Sequence, residues 1–314
     1  MSEPKMSERE MSEREMSERE MSEPKMSETP TMADVRGMVR RRIGPRLWLP
    51  GLWLTLLVIG AVFAPWIARQ DPLAQDLFTS RLPPFWMDGA EPGYLLGSDS
   101  LGRDVLSRML YGARIALIVA VVAGTLTCLI GATLGLIAGF YRGWPDMIIS
   151  RLIDIWMAFP PVLFAILLIA VIGTGLTSII IAIVVIDWTR FARVVRAEAM
   201  TQGAMDYVAS AQVAGRSRFS TMLTEILPNV LPTIVALLTL EMGIAVIVEA
   251  ILSFVNLSIS TDSPTWGGMI SEGRISIHQA WWVLVFPLIA LFLTVLSLSQ
   301  LGEGLRDHFD PVLR

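Results

Sequence analysis

The sequence predicts an all-α membrane protein with six transmembrane helices and both termini in the cytoplasm. Three observations predict it. Of 314 residues, 53% are apolar and 17% are charged, against about 45–50% and about 25% in soluble chains. Uncharged apolar runs long enough to cross a hydrocarbon core, about 20 residues, recur along the chain. Arginine gathers on one side of those runs, as it does at cytoplasmic faces.

Residues 1–30 are six five-residue units that each begin Met-Ser-Glu. A period of five matches neither helix nor strand, and methionine is the only apolar residue present. Such a segment cannot bury enough surface to offset its ordering entropy. The stretch 1–35 is therefore expected to be a disordered repeat tail, read either as an interaction tail or as a repeat expansion. Met1, Met6, Met26 and Met32 are each a candidate start. The tail holds nine acids and five bases, so it carries the whole net charge of −4.

The first span is placed at 47–68, uncharged over 22 residues between Arg46 and Arg69. A signal-peptide core is about 7–15 residues, so this run is read as an uncleaved anchor. An extracytoplasmic loop follows at 69–113. Its last part sets Leu101, Val105, Leu106, Met109 and Leu110 at helical spacing beside Arg103, Asp104 and Arg108, which predicts an amphipathic helix on the outer surface.

The membrane domain is placed at 114–303, with its first span at 115–140. The run 155–186 holds 32 uncharged residues, too many for one span at about 1.5 Å per residue. Gly173-Thr174-Gly175 reads as a turn and divides it into spans at 149–172 and 175–192. Two more follow at 229–254 and 281–301, and 304–314 is a cytoplasmic C-terminus. Pro160-Pro161 and Pro287 are expected to bend or break their helices. Trp281 and Trp282 fit an aromatic belt at the outer interface. With the N-terminus inside, the cytoplasmic segments hold 14 arginines and the outer loops five.

Composition also excludes classes. The two lysines, Lys5 and Lys25, lie in the tail, so no GxxxxGK[ST] phosphate loop exists in the body. Nucleotide energy would have to act through another chain. One cysteine, Cys128, excludes a disulfide framework, and His278 and His308 are too far apart to suggest a metal site. No basic face offers itself to nucleic acid. No nucleophile–base pair suggests catalysis, so neither catalytic nor metal-binding residues are assigned.

The longest polar stretch within the membrane domain is about 193–228, between spans four and five. Asp206 is a candidate cap for a short helix over 207–214, and Gly215 is the left-handed residue expected past its end. A second helical segment is expected over 217–227, stopping against Pro228. A short helix at the cytoplasmic face suits docking into a partner; the other reading is an interfacial connector.

These residues resemble the EAA loop of binding-protein-dependent ABC importer permeases, whose pattern is Glu-Ala-Ala, three residues, glycine, nine residues, Ile-x-Leu-Pro. In register, Ala209, Ser210 and Ala211 take the Glu-Ala-Ala positions, Gly215 the glycine, and Leu227 and Pro228 the final pair. Glu225 stands where the isoleucine is usual. The stretch from Leu96 through Arg108 to Arg114 resembles dipeptide and oligopeptide permeases. So do the residues from Pro264 to Ile270, and from Gly302 to Asp307 with Asp310-Pro311. In 252–258 this chain has Asn256 and Ser258 where the family usually has glycines.

The resemblance implies a type I ABC importer permease fold in a bacterial inner membrane. It implies a second homologous permease subunit, two ATP-binding-cassette ATPase subunits that hold ATP and magnesium, and an extracytoplasmic solute-binding protein. No cofactor is expected on this chain. Asp206, Tyr207, Ala209, Ser210, Ala211, Gly215, Leu227 and Pro228 would form the ATPase-docking loop. The solute would be a peptide or a similar small molecule.

Glu241 and Glu249 fall within span five. A buried acid costs about 2.5–3.5 kcal/mol on insertion scales, and each Leu, Ile, Val or Phe returns about 0.3–0.6 kcal/mol, so neighbouring helices must help this span insert. The two acids lie about 80° apart around a helix and about 12 Å along it. Both are candidates for lining a solute pathway, and for each the other reading is a structural hydrogen bond. A proton-coupled secondary transporter using Glu241 is the alternative function, although such folds usually show two related halves and no such repeat is evident.

Overall fold

The computed structural model describes residues 45–257 and 263–309; the repeat tail and the arginines at 36–42 lie outside the described residues, as do Ser258 and residues 310–314. The described chain is helical. Its one β-feature is an isolated bridge between Ser98 and Asp104.

Helix α1 (Pro45–Val62) and the single turn α2 (Ala64–Ile67) are followed by a turn-rich loop. Next come α3 (Val105–Tyr141), α4 (Gly143–Met157), α5 (Pro161–Ile172) and α6 (Leu176–Gln202). A polar connector then holds α7 (Asp206–Val213) and the short α8 (Arg218–Thr221). The remaining helices are α9 (Leu227–Phe254), α10 (Trp266–Ile275) and α11 (Trp282–Phe309). Among the described residues three continuous helices are long and apolar enough to cross a membrane: Val105–Tyr141, Arg218–Phe254 and Trp282–Arg306. Helices α4 and α5 together are also long and apolar enough, but they are bent by 87° at the break between them.

Helix α3 is the centre of the packing. Glycine at every fourth position turns one stripe of it into bare backbone. A Cβ on Gly131 would stand 2.5 Å from the Trp188 carbonyl oxygen. On Gly135 it would stand 2.6 Å from that of Ala192, and on Gly139 2.5 Å from that of Arg196. Only hydrogen fits there, and α6 lies directly on α3, as small-residue stripes permit in membrane bundles. About two turns before Gly131 on the same stripe, Gly124 receives Met242 of α9. Helix α1 closes on α11 through a hydrogen bond from the Trp53 indole to Thr294 Oγ1, 3.1 Å.

Several sequence expectations are corrected here. The amphipathic segment before span two is not a separate surface helix. Its residues from Val105 onward form the first turns of α3, capped by Asp104, whose carboxylate accepts from the Ser107 amide at 2.8 Å. The reason is burial. Val105 is fully covered, and Arg103 and Arg108 are sunk in an ion-pair network instead of facing water. The segment placed as one span at 149–172 is broken, because Pro160 and Pro161 lack amide hydrogens and the turn before them cannot continue. Trp282 does not sit in a belt: it is 4% exposed, and its indole donates to the Ser98 carbonyl at 3.0 Å.

The chain turns between α5 and α6 at Gly173 and Gly175, with φ of +97° and +150°. At the end of α9 the family's glycine position is filled by Asn256, at φ +59°. The Leu257 amide reaches the Leu252 carbonyl at 2.9 Å and the Asn256 amide reaches that of Ser253 at 3.0 Å. That is a left-handed helix cap, which asparagine tolerates better than other side chains do.

Candidate functional site

The connector between α6 and α9 is built around α7. Its N-cap is Met205, not Asp206; Asp206 is already helical and its side chain caps nothing. The carboxylate instead lies in the first turn, where negative charge complements the helix dipole. At the other end Gly215 has φ +82°, its amide donates to Gln212 (3.0 Å) and the Arg216 amide to Ala211 (3.1 Å). These two bonds satisfy the carbonyls the helix leaves open.

One residue pins α7 to the bundle. Val208 is buried with Phe191, Met222 and Ile226, whereas Asp206, Tyr207, Ala209 and Ser210 are exposed and Ala211 is half-buried. The outer surface is apolar for a polar connector: Val213 is 90% exposed, and Met205 and Phe219 are exposed as well. The Tyr207 hydroxyl donates to Gln202 Oε1 at 2.7 Å and accepts from Asn229 Nδ2 at 3.4 Å, so it touches the helices on both sides. Arg216 pairs with Glu225 and donates to Thr224 Oγ1 at 2.6 Å. Partial burial pushes the Tyr207 phenol up from its ordinary value.

The second helical segment does not stop at Pro228. Helix α8, capped by Ser217, runs through a π-helical turn (Met222–Ile226) directly into α9. Pro228 falls within the first two positions of α9. Its missing amide hydrogen is absorbed by the widened turn before it. Leu227 is half-buried and Pro228 exposed.

The two acids of α9 sit inside the chain, Glu241 and Glu249 being almost fully buried. Arg190 reaches Glu241 Oε2 at 3.4 Å and Asp187 Oδ1 at 3.5 Å. Asp187 lies against Glu241, so two carboxylates share one guanidinium, and Glu241 Oε1 has no hydrogen-bond partner. Of the three side chains only Arg190 reaches substantially outward. Glu249 accepts from the hydroxyl of Ser253, one turn on.

A third cluster was not recognised in the sequence. Asp99, Arg103, Arg108 and Glu272 form one network at the opposite end of α3 from the connector. Arg103 pairs with Asp99 and with Glu272, each at 2.7 Å. Arg108 pairs with Asp99 and, at 2.6 Å, with Glu272. The network ties the loop before α3, and α3 itself, to α10. The one available signal was the closeness in sequence of the opposite charges Asp99 and Arg103; nothing in the pattern pointed to Glu272.

Long apolar helices, a broken apolar pair and a buried intramembrane charge cluster define a multi-pass membrane protein with a polar connector on one face. The chain belongs to the binding-protein-dependent transport system inner membrane component family, whose model matches residues 131–314. It is 37% identical over 263 residues to the di/tripeptide transport system permease protein DppC of Pseudomonas aeruginosa, covering 84% of this chain and 87% of that protein. It is 36% identical over 263 residues to the dipeptide transport system permease protein DppC of Haemophilus influenzae, covering 84% and 89%. To the glutathione transport system permease protein GsiD of Shigella dysenteriae it is 40% identical over 264 residues, covering 84% and 85%.

The chain is thus a permease subunit of an ABC importer, a non-enzymatic inner-membrane component that works with other transporter components. ATP hydrolysis belongs to partner subunits. These relatives give the proton-coupled alternative no support.

Proposed function

We propose that this subunit forms half of a translocation pathway for peptides or similar small solutes, paired with a second homologous permease and served by a solute-binding protein. The relatives' names, which specify dipeptides, tripeptides and glutathione, support that solute class. Two ATPase subunits carrying ATP and magnesium supply the energy.

Six spans are assigned to α1, α3, the α4–α5 pair, α6, α9 and α11, with both termini cytoplasmic. The excess of arginine in the connector and beside the short α3–α4 turn supports this orientation. Helix α6 is the least apolar of the set because it carries Asp187, Arg190, Arg193, Arg196 and Glu198, and the pairing of Arg190 with Asp187 and Glu241 supports its insertion. In this reading Glu241 acts on the pathway through Arg190, and Glu249 is structural.

The observation that carries the reading is the exposed surface of α7, where Val213 stands out beside Met205 and Phe219 of the flanking turns, held by a left-handed cap and by buried Val208. A rigid helix transmits a rigid-body shift without absorbing it by bending. We assign 206–215, with Leu227 and Pro228, as the ATPase-docking loop. Closure of the ATP-bound ATPases would move α7 and, through it, α6 and α9.

The test is co-purification of the tagged chain with its partners from the native host, alongside Gly215→Pro. Proline fixes φ near −65° and also removes the amide that reaches Gln212. Two ATPases and a second permease should accompany the native chain, and the variant should keep the permease while losing the ATPases. ATPases retained at full occupancy on Gly215→Pro would refute the docking role.

A further inference from the structure

The outer loop carries an aromatic tip that the transport function does not use. Phe85 is 66% and Trp86 50% exposed, and Met87 beside them is also exposed. Pro83 and Pro84 stiffen the approach to the tip, which is closed by a bond from the Met87 amide to the Pro84 carbonyl (2.9 Å) and from the Phe85 amide to Leu95 (3.2 Å). The tip therefore has a defined conformation.

What it touches is informative. The Trp86 ring meets Phe286 edge-on at 6.0 Å between centroids, and Phe286 in turn meets Trp281 at 5.9 Å. Phe286 is in the second turn of α11 and Trp281 immediately precedes that helix. Below them the outward stripe of α11 continues through Leu288, Ile289, Phe292 and Leu296, all exposed and all apolar. Directly after the tip come Asp88 and Glu91, both exposed. The loop thus adds Phe85 and Trp86 to the end of a spanning helix, on its apolar stripe, and turns back to charge within a few residues.

We propose that residues 85–87 are a shallow lipid anchor, seated at the outer headgroup boundary beside α11. Tryptophan has an apolar body and a polar N–H and prefers that depth. Partially exposed aromatics continuous with the exposed apolar stripe of a spanning helix bury their area there at little ordering cost, since the prolines have already fixed the turn. The anchor would hold the outer loop at a set height against the membrane, and with it the Asp99–Arg103 segment. This inference rests on α11 being a spanning helix.

The test places a polarity-sensitive dye on single cysteines in the reconstituted transporter: Trp86→Cys, Met87→Cys, Glu91→Cys and Phe292→Cys. The native Cys128 is buried and stays unlabelled. Phosphatidylcholine carrying a nitroxide high on the acyl chain is compared with aqueous iodide as quencher. At 86 and 87 the lipid-to-iodide quenching ratio should exceed that at 91 by about threefold or more. A ratio at both 86 and 87 no greater than at 91 overturns the anchor. So does protection from both quenchers, which would mean that a protein partner covers the tip. Position 292 should be quenched by the lipid probe; its failure there would bring down the spanning assignment of α11, whereas failure at 86 and 87 alone brings down only the anchor.

Discussion

Arg108 and Glu272, 164 residues apart, meet through two hydrogen bonds, Nη1 to Oε2 at 2.6 Å and Nη2 to Oε1 at 3.3 Å. Arg108 also pairs with Asp99, which is 1% exposed, whereas about a third of the Glu272 side chain meets solvent. Removing one partner of a buried pair costs about 3–5 kcal/mol because the other charge is stranded. Asp99→Asn should therefore destabilise the chain by about that amount, and Glu272→Gln by clearly less, since water reaches its site. Thermal unfolding in detergent should rank the two variants in that order.

Asp104 caps α3 from a buried position. Burial pushes its carboxyl up from the ordinary value despite opposing hydrogen bonds from Ser107, and its Oδ1 has no partner. The folded chain therefore holds this proton more tightly than the unfolded chain does. Its contribution is fully present below the ordinary aspartate range and is lost as pH rises through the raised value. Asp104→Asn keeps an acceptor for Ser107 and should remove that part of the pH dependence, while Asp104→Ala should cost about 1 kcal/mol through loss of the cap. Unfolding midpoints measured across pH 4 to 8, about the carboxylate range and above, check both.

The α3–α6 contact leaves no room for a methyl group. Gly135→Ala should cost about 1–3 kcal/mol by forcing backbones apart. Gly243→Ala is the control: its added Cβ would have no neighbour closer than 3.7 Å, and its effect should be under about 0.5 kcal/mol. Equal losses of thermal stability in the two variants would contradict the packing account.

Around Arg190 two acids share one base. Glu241→Gln should be tolerated, because Asp187 remains to neutralise the guanidinium, whereas Arg190→Gln strands two buried carboxylates and should sharply lower the folded yield. Uptake by Glu241→Gln should remain ATP-dependent and insensitive to a proton uncoupler. Radiolabelled dipeptide uptake in cells measures it.

Gly215 has open space around it and a left-handed backbone. Substitutions there should follow backbone tolerance and not size, with asparagine milder than alanine. Alanine should cost about 1 kcal/mol at that helix end. ATPase retention on the purified subunit should fall in the same order.

The sequence by itself determined that this is a helical membrane protein. Long uncharged runs admit only helices in lipid, and the Gly173–Gly175 turn is legible because glycine reaches backbone angles that other residues avoid. The end of α7 was legible for the same reason: Gly215 punctuates it locally. The surface offered by α7 was only half legible, because helical spacing does not say that Val208 faces inward and Val213 outward.

Tertiary structure alone decided where the charges go. Arginine, aspartate and glutamate carry the same pattern whether they face water or each other, and nothing in the chain marks Glu272 as the partner of residues more than 160 positions earlier. The same holds for Trp282, buried in the core with its indole donating to a carbonyl on a distant loop, and for Asp206, displaced from its expected cap by Met205. The helical run from α8 continues into α9 through Pro228 because a π-turn absorbs the missing donor. Local propensity marks where a helix can end, but long-range packing decides whether it does, because burial and hydrogen bonding across elements outweigh the preference of any single residue.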